Sequence, residues 1–153
     1  MEFALVLIPL LLIFAGIIEF GRVMWYSNAL AKAVRDGSRL LSTFDTTDIQ
    51  SAGASAAAAR VVAMAGAANI PTGASGGGRL STSNIDVRCD YAAIDATRSF
   101  VSCTNGVVPT FVRVSITGYT ISLGAWMPFI TRDGVKNYGN VSLTPSMTMR
   151  YMN

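Results

Sequence analysis

The stretch that decides the fold lies at the start of the chain, where residues 2–22 read EFALVLIPLLLIFAGIIEFGR. From Phe3 to Ile18 it contains no charged side chain. As a helix, this uncharged run measures roughly 24 Å, and the apolar residues that follow as far as Tyr26 extend it toward the ~30 Å hydrocarbon core of a bilayer. The sequence therefore predicts a membrane-spanning or filament-core helix over residues 1–26.

Charged residues stand at both ends of this run. A carboxylate in hydrocarbon is costly unless it meets a cation or reaches the headgroups, and the α-amino group of a neighbouring identical chain would neutralise Glu2. We therefore expect Met1, Glu2 and Phe3 to set the register between neighbouring subunits. At the far end, Glu19 and Arg22 are three residues apart, which predicts a charge pair on one side of the helix.

The side chains between these ends are apolar around the whole circumference of the predicted helix. Such a helix must be buried in lipid or among other helices. The residues that we assign to this core are Leu5, Leu7, Pro9, Leu11, Phe14, Ile17 and Ile18. Because a proline lacks an N–H group and clashes with the carbonyl four residues earlier, we expect a kink or a melted turn near residues 5–9.

A signal peptide is the alternative interpretation of this segment. It would have a positive n-region and a small-residue cleavage site, whereas this chain has Glu2 before the apolar run and Glu19 and Arg22 after it. We expect the segment to be retained. The basic residues after the apolar helix would place the following part of the chain in the cytoplasm, whereas paired cysteines would place it in an oxidising compartment. A basic leader removed from in front of Met1 would resolve this conflict.

Composition limits the remaining possibilities. The chain has 153 residues and a net charge of +3, so after the apolar helix about 110 residues remain for one compact domain. The basic residues are scattered without a block of like charge, which argues against nucleic acid as a partner. There is no histidine, which excludes Ser-His and Cys-His nucleophiles and histidine-containing metal sites. We expect neither an enzyme nor a cofactor.

Helical spacing continues beyond the membrane segment and predicts one helix from about Glu2 to Leu41, whose second part packs on a globular domain at residues 27–153. An alanine-rich second helix is predicted over about residues 47–69. Thr47 and Gln50 have capping-box spacing at its start. Its small side chains favour a close helical hairpin with the first helix, although alanine richness could also reflect helix propensity alone.

After a glycine-rich linker at residues 72–83, the apolar residues alternate with polar ones, which is typical of half-buried strands. The predicted strands are Ile85–Tyr91, Val112–Thr117 and Val141–Tyr151, with a shorter one at Phe100–Cys103. The sequence thus predicts an α+β fold in which an antiparallel sheet, within residues 84–153, packs its apolar face on the soluble half of the first helix.

Two further features of the sheet region are open to more than one interpretation. Cys89 and Cys103 would lie on neighbouring strands, so a disulfide is expected, with two buried thiols as the alternative. Residues Trp126–Ile130 form an apolar cluster outside any clean strand. This cluster is either a contact surface between subunits or a satellite core under a long loop.

Residues 2–22 resemble the N-terminal signature of TadE-like proteins, the pseudopilins of tight-adherence (type IVc) pilus systems. The segment Ala33-Val-Arg-Asp-Gly-Ser-Arg39 is similar to the Ala-Ala-Arg-Glu-Gly-Ala-Arg pattern of that family. The resemblance implies a pilin-like fold and a prepilin whose basic leader is removed by a prepilin peptidase, leaving a processed, N-methylated terminus. It also implies that Glu2 engages the terminal amine of a neighbour, although the family usually has several small residues before this glutamate.

The expected function is that of a structural or minor subunit of a type IV-like (Tad) pilus, which supports adhesion. The expected partners are identical subunits or other pilins, the inner membrane before assembly, the prepilin peptidase and the pilus assembly machinery. The expected location is the bacterial inner membrane, then the extracellular pilus. The alternative is a bitopic inner-membrane protein whose extracytoplasmic domain acts as a pilus or secretion assembly factor without entering a filament.

Overall fold

The computed structural model describes residues 2–73, 78–94, 96–123 and 140–152. Met1 and the apolar cluster Trp126–Ile130 lie outside these described residues, so both interpretations of that cluster stay predictions. Within the described ranges the chain forms two long helices and five strands in two antiparallel sheets. The predicted α+β class is confirmed.

Helix α1 spans Glu2–Ser42 and agrees closely with the predicted single helix. It passes through Pro9 without interruption. Of the two expected effects of Pro9, the melted turn is therefore wrong, because the missing N–H group removes only one hydrogen bond and the helix continues on both sides. The kink stays a prediction.

The second helix begins differently from the prediction. Helix α2 spans Ala54–Ala67 and is preceded by a 3₁₀ turn at Thr46–Asp48 and a π turn at Ile49–Gly53. The predicted Thr47/Gln50 capping box does not form, since the backbone N–H of Gln50 donates to Asn105 Oδ1 at 2.7 Å instead. Asp45 instead caps the 3₁₀ turn, and its carboxylate accepts from the backbone N–H of Thr47 at 3.0 Å.

Helix α2 ends in a Schellman motif. Asn69 has a φ of +58°, the left-handed conformation that asparagine tolerates better than most non-glycine residues. Its N–H donates to the carbonyl of Gly66 at 2.9 Å, and the N–H of Ile70 donates to the carbonyl of Ala65 at 3.0 Å. These two bonds satisfy carbonyls that the helix itself leaves unpaired and turn the chain away from the helix axis.

Helices α1 and α2 form the predicted close hairpin, and the close approach is at Gly37. A Cβ atom built on Gly37 would lie 2.5 Å from Val61 Cγ2 and 3.2 Å from the carbonyl oxygen of Ala57. Next to this contact, Arg60 of α2 forms an ion pair with Asp36 of α1. The small side chains of α2 therefore serve packing as well as helix propensity.

The main sheet has three antiparallel strands in the order β1-β2-β5, which are Ile85–Asp90, Phe111–Ile116 and Ser146–Arg150. A second sheet pairs β3, Thr120–Ser122, with β4, Asn140–Ser142. The predicted closing strand is thus divided into β4 and β5, because the intervening Pro145 cannot donate to a ladder. Its carbonyl nevertheless accepts from the N–H of Ile116 at 3.0 Å.

The prediction of a strand at Phe100–Cys103 is wrong. Only Val101 of that segment pairs, in an isolated bridge with Cys89. Phe100 instead lies on the outer face of the sheet, 5.3 Å from the guanidinium of Arg113, measured to the centroid of its ring.

The core lies between the inner face of the three-stranded sheet and the two helices. Val112, Val114 and Ile116 of β2 are fully buried and alternate with residues of the outer face, as the sequence predicts. Strands β2 and β5 contact α1, whereas β1 contacts α2. The helix residues in this core are Leu30, Ala33, Val34, Leu41, Ala57, Val61 and Ala65.

Candidate assembly surface and its polar junction

The first part of α1 exposes apolar side chains on all its sides. We call residues 3–18 the apolar segment. The large apolar residues that the structure describes there expose between 37% (Leu7) and 80% (Phe3) of their surface. Of the predicted core residues, Pro9, Leu11, Phe14, Ile17 and Ile18 are exposed as well. Leu5 and Glu2 lie in the helix, and their side chains are outside the described part.

The length and composition of this helix fit a membrane. Among the described residues, one helix is long and apolar enough to cross a bilayer, over Val6–Ser42. Only 6% of its most apolar window is buried inside the protein, which distinguishes it from the core helix of a globular domain. An exposed apolar surface of this extent is unfavourable in water, so it must be covered by lipid or by other helices.

Burial begins abruptly at Glu19, the first buried residue of α1 in the described part of the chain. The Glu19 side chain is 8% exposed, and its Oε2 accepts from Arg22 Nε at 2.9 Å. Arg22 also donates through a terminal nitrogen to the carbonyl oxygen of Ser122 at 2.9 Å. Since Ser122 belongs to β3, Arg22 ties the helix to the small sheet at the point where the apolar segment ends.

Two tyrosines complete this group. The guanidinium of Arg22 lies 6.0 Å from the centroid of the Tyr26 ring, and Tyr119 is 2% exposed nearby. Burial raises the pKa of the Tyr119 hydroxyl, Tyr26 raises it further, and the charge of Arg22 opposes the shift. The Tyr119 hydroxyl has no hydrogen-bond partner among the described residues. We call Glu19, Arg22, Tyr26, Tyr119 and Ser122 the polar junction.

The remaining predicted site is the disulfide, which the structure contains between Cys89 and Cys103. Cys89 is fully buried, and it also exchanges both backbone hydrogen bonds with Val101, at 2.8 and 2.9 Å. The disulfide therefore fastens the loop after β1 back onto that strand. It lies among the core residues, away from the apolar segment.

Sequence reasoning identified the charge pair but missed its partners on β3. The signal for β3 was present in the alternation of Tyr119, Ile121 and Leu123, although a strand of three residues is too short to give a clear period. The contribution of Ser122 could not be predicted, because it acts through its backbone carbonyl. Among the described residues, no group of three or more Cys, Asp or Glu side chains could hold a metal ion.

A family model matches the first part of the chain. Residues 1–39, which contain the apolar segment and Glu19 and Arg22 of the polar junction, match the family model of the TadE-like proteins. This confirms the resemblance seen in the sequence. No curated protein and no solved structure matches the chain.

Proposed function

We propose that this chain is a structural or minor subunit of a type IV-like (Tad) pilus, which polymerises through the apolar segment. The observation that carries the proposal is the coincidence of the family match with that segment, exposed along residues 3–18. The TadE-like family is associated with Tad pilus systems, and an apolar helix of this kind associates with membranes. Filament formation and adhesion go one step further and are our inference.

The structure suggests how one helix could serve in two environments. In the inner membrane, lipid covers the apolar segment. In a filament, the same side chains would pack against the apolar segments of neighbouring copies. Repeating one such contact without closure generates a helical fibre.

The two acids that flank the apolar segment, Glu2 and Glu19, would have different roles. Glu19 already has its cation, Arg22, within the same chain. Glu2 lies directly before the apolar segment. A neighbour's terminal amine would neutralise its carboxylate there and so fix the stagger between copies. In this proposal Glu2 acts between chains, whereas the polar junction holds the globular domain at a constant position on its own helix.

Replacing Glu2 tests this role. We expect Glu2→Ala to reduce the number and length of surface filaments, as seen by electron microscopy, while the protein still accumulates in the membrane. Asp48→Ala removes an exposed acid of the globular domain and is the control with the same change of charge. Filaments of unchanged number and length in Glu2→Ala cells would contradict the proposed register.

The alternative, an assembly factor in the inner membrane, predicts a different location. Mass spectrometry of sheared filaments, together with immunogold labelling, distinguishes the two. A subunit is present in the sheared fraction with a processed terminus. An assembly factor stays in the membrane fraction, and that result would favour the alternative.

A further inference from the structure

The sheet register brings together arginines that are far apart in sequence. On β1 and β2, Arg88 lies directly opposite Arg113, and Phe111 lies opposite Arg150 of β5. Residues directly opposite in an antiparallel pair share a face, and Arg113 and Phe111, two apart on β2, share one as well. Arg88, Arg113 and Arg150 therefore lie on the outer face of the sheet, opposite the core.

The fourth arginine comes from the loop after β1. The guanidinium of Arg98 lies over the Phe111 ring, 4.4 Å from its centroid, while that of Arg113 lies 5.3 Å from the centroid of Phe100. Stacking on a phenyl face leaves the N–H groups at the edge of a guanidinium free to bind an anion. We call Arg88, Arg98, Arg113 and Arg150 the arginine face.

The acidic residues on this face only partly compensate the charge. Asp86 forms an ion pair with Arg88 at 3.0 Å. Asp90 lies on the same face but is 1% exposed; its Oδ1 accepts from the N–H of Ala92, and its Oδ2 has no hydrogen-bond partner among the described residues, so this carboxylate lies beneath the arginines rather than at the surface. Among the described residues, Arg98, Arg113 and Arg150 have no acidic side chain within ion-pairing distance.

The arginine face lies far from the membrane segment. The N–H of Met152, two residues after Arg150, donates to the carbonyl of Ser42 at the end of α1. Ser42 is separated from Ile18 by roughly 36 Å of helix. The headgroups of the lipids that hold the apolar segment are therefore out of reach, and the face is open to an anionic partner in solution.

We propose that the arginine face binds the phosphate backbone of duplex DNA without sequence preference. Arg113 and Arg150 are diagonal neighbours on the sheet, about 7–8 Å apart, and Arg98 lies over Phe111 beside them, so the group fits a ligand with closely spaced anions. Duplex DNA carries one charge per ~1.7 Å of its axis. Each of the two phenyl rings on this face already has a guanidinium group against it, which reduces the ring surface open to the base stacking that single strands use.

This conclusion differs from the expectation from sequence, which was based on the absence of a block of basic residues. No such block is needed, because neighbouring strands gather the charges. The inference does not depend on the proposed role in a filament, since it concerns the outer face of the sheet in a single chain.

The salt dependence of binding tests the proposal. The full chain, kept soluble in a non-ionic detergent, is titrated into a fluorescent duplex of ~20 base pairs at about 25 to 200 mM NaCl. Three phosphate contacts predict a slope of about −2.7 for the logarithm of the binding constant against that of the salt concentration. Arg98→Gln/Arg150→Gln is expected to reduce the slope to about −0.9, whereas Arg98→Lys/Arg150→Lys keeps it near the original value.

The matched control removes the same charge elsewhere. Arg35→Gln/Arg39→Gln changes two exposed arginines of α1 and should leave the slope unchanged. Circular dichroism and an intact disulfide establish that each variant is folded. The proposal is overturned if the wild-type chain does not bind duplex DNA, if both glutamine pairs lower the slope equally, or if single-stranded DNA or the acidic polysaccharide alginate binds as tightly as the duplex.

Discussion

Gly37 shows most clearly how one residue sets the distance between the helices. In Gly37→Ala the gain in helix propensity, about 1 kcal/mol, is opposed by the overlap of the new methyl group with Val61 and with the Ala57 carbonyl. Overpacking of this kind costs about 1–3 kcal/mol, so we expect a net loss of about 1 kcal/mol in the free energy of unfolding. Denaturant unfolding of the full chain in detergent measures it.

Gly66 of α2 provides the matched control for this substitution. A Cβ atom at Gly66 would meet only Thr72, at ordinary contact distances of 3.6 and 3.7 Å. Gly66→Ala should therefore stabilise the protein by up to about 1 kcal/mol. Adding Val61→Ala to Gly37→Ala should remove the closer of the two overlaps, the one with Val61, and if this double variant shows no coupling, the steric explanation is wrong.

The cap at Asp45 should make the stability of the protein depend on pH in the acid range. Hydrogen bonds from the side chain and backbone of Thr47 lower the pKa of Asp45 below its usual 3.8. Because the pKa is depressed in the folded state, the ionised cap stabilises the protein fully above pH 3.8, and this contribution is lost as the pH falls through the lower, folded-state value. Asp45→Asn keeps a capping oxygen but does not titrate.

We accordingly expect the melting temperature of the wild-type chain to exceed that of Asp45→Asn at neutral pH, and the difference to disappear in strong acid. Differential scanning calorimetry across this range measures both proteins. A difference that stays constant down to the lowest pH would mean that the charge of Asp45 contributes nothing to the cap.

At the scale of elements, the sequence predicted the strands with a regular alternation of apolar residues, but not the turns that depend on contacts with distant residues. The alternation of Val112, Val114 and Ile116 predicted β2 because each alternate residue enters the core. The π turn at Ile49–Gly53 gives no local signal, since it accompanies a hydrogen bond between Gln50 and the distant Asn105. A strand was predicted at Phe100–Cys103, but only Val101 pairs, and local sequence does not show how many residues of a short segment will pair with a distant strand.

The disulfide contributes to the stability of β1 and the loop that follows it. Cys89 and Cys103 are 14 residues apart, and closing a loop of this length stabilises a fold by about 3 kcal/mol on the chain-entropy model. We expect Cys89→Ser/Cys103→Ser to lose about that much, as measured by denaturant unfolding. Reduction of the wild-type protein should reproduce the loss, and an undiminished free energy of unfolding would contradict this role.

The polar junction is the corresponding link between α1 and β3. Arg22→Gln keeps a hydrogen-bonding group but is too short to contact both Glu19 and the Ser122 carbonyl. Because Arg22 is 30% exposed, we expect a moderate loss of about 1–2 kcal/mol, below that of a fully buried pair. Hydrogen exchange should become faster at Thr120–Ser122 and stay unchanged at Phe111–Ile116; equal changes in both strands would mean that the junction is not a local link.

At the scale of the whole molecule, the apolar segment could be predicted and the arginine face could not. An uncharged run is a continuous stretch of sequence and can be recognised directly, whereas Arg88, Arg113 and Arg150 become neighbours only through the register of three strands. For the same reason the alternation of the strands predicted the sheet but not which polar residues would meet on its outer face.

The division of the molecule into an exposed segment and a packed domain gives the last prediction. No described residue before Glu19 is buried, and the core cluster with the residues packed on it begins at Val23. A chain that starts at Glu19 keeps the polar junction, both sheets and the disulfide, so it should fold as a monomer in plain buffer. The full chain should require detergent or form large assemblies, because its apolar segment has no cover of its own.

Analytical ultracentrifugation with and without detergent distinguishes the two behaviours, and near-ultraviolet circular dichroism compares the packing of Tyr119 and Tyr151 in both proteins. If the full chain is a stable monomer without detergent, the apolar segment must be covered by its own domain. The basis for a filament or a membrane anchor is then lost. If instead the shorter chain fails to fold, residues before Glu19 contribute to the domain, and the boundary that burial indicates is wrong.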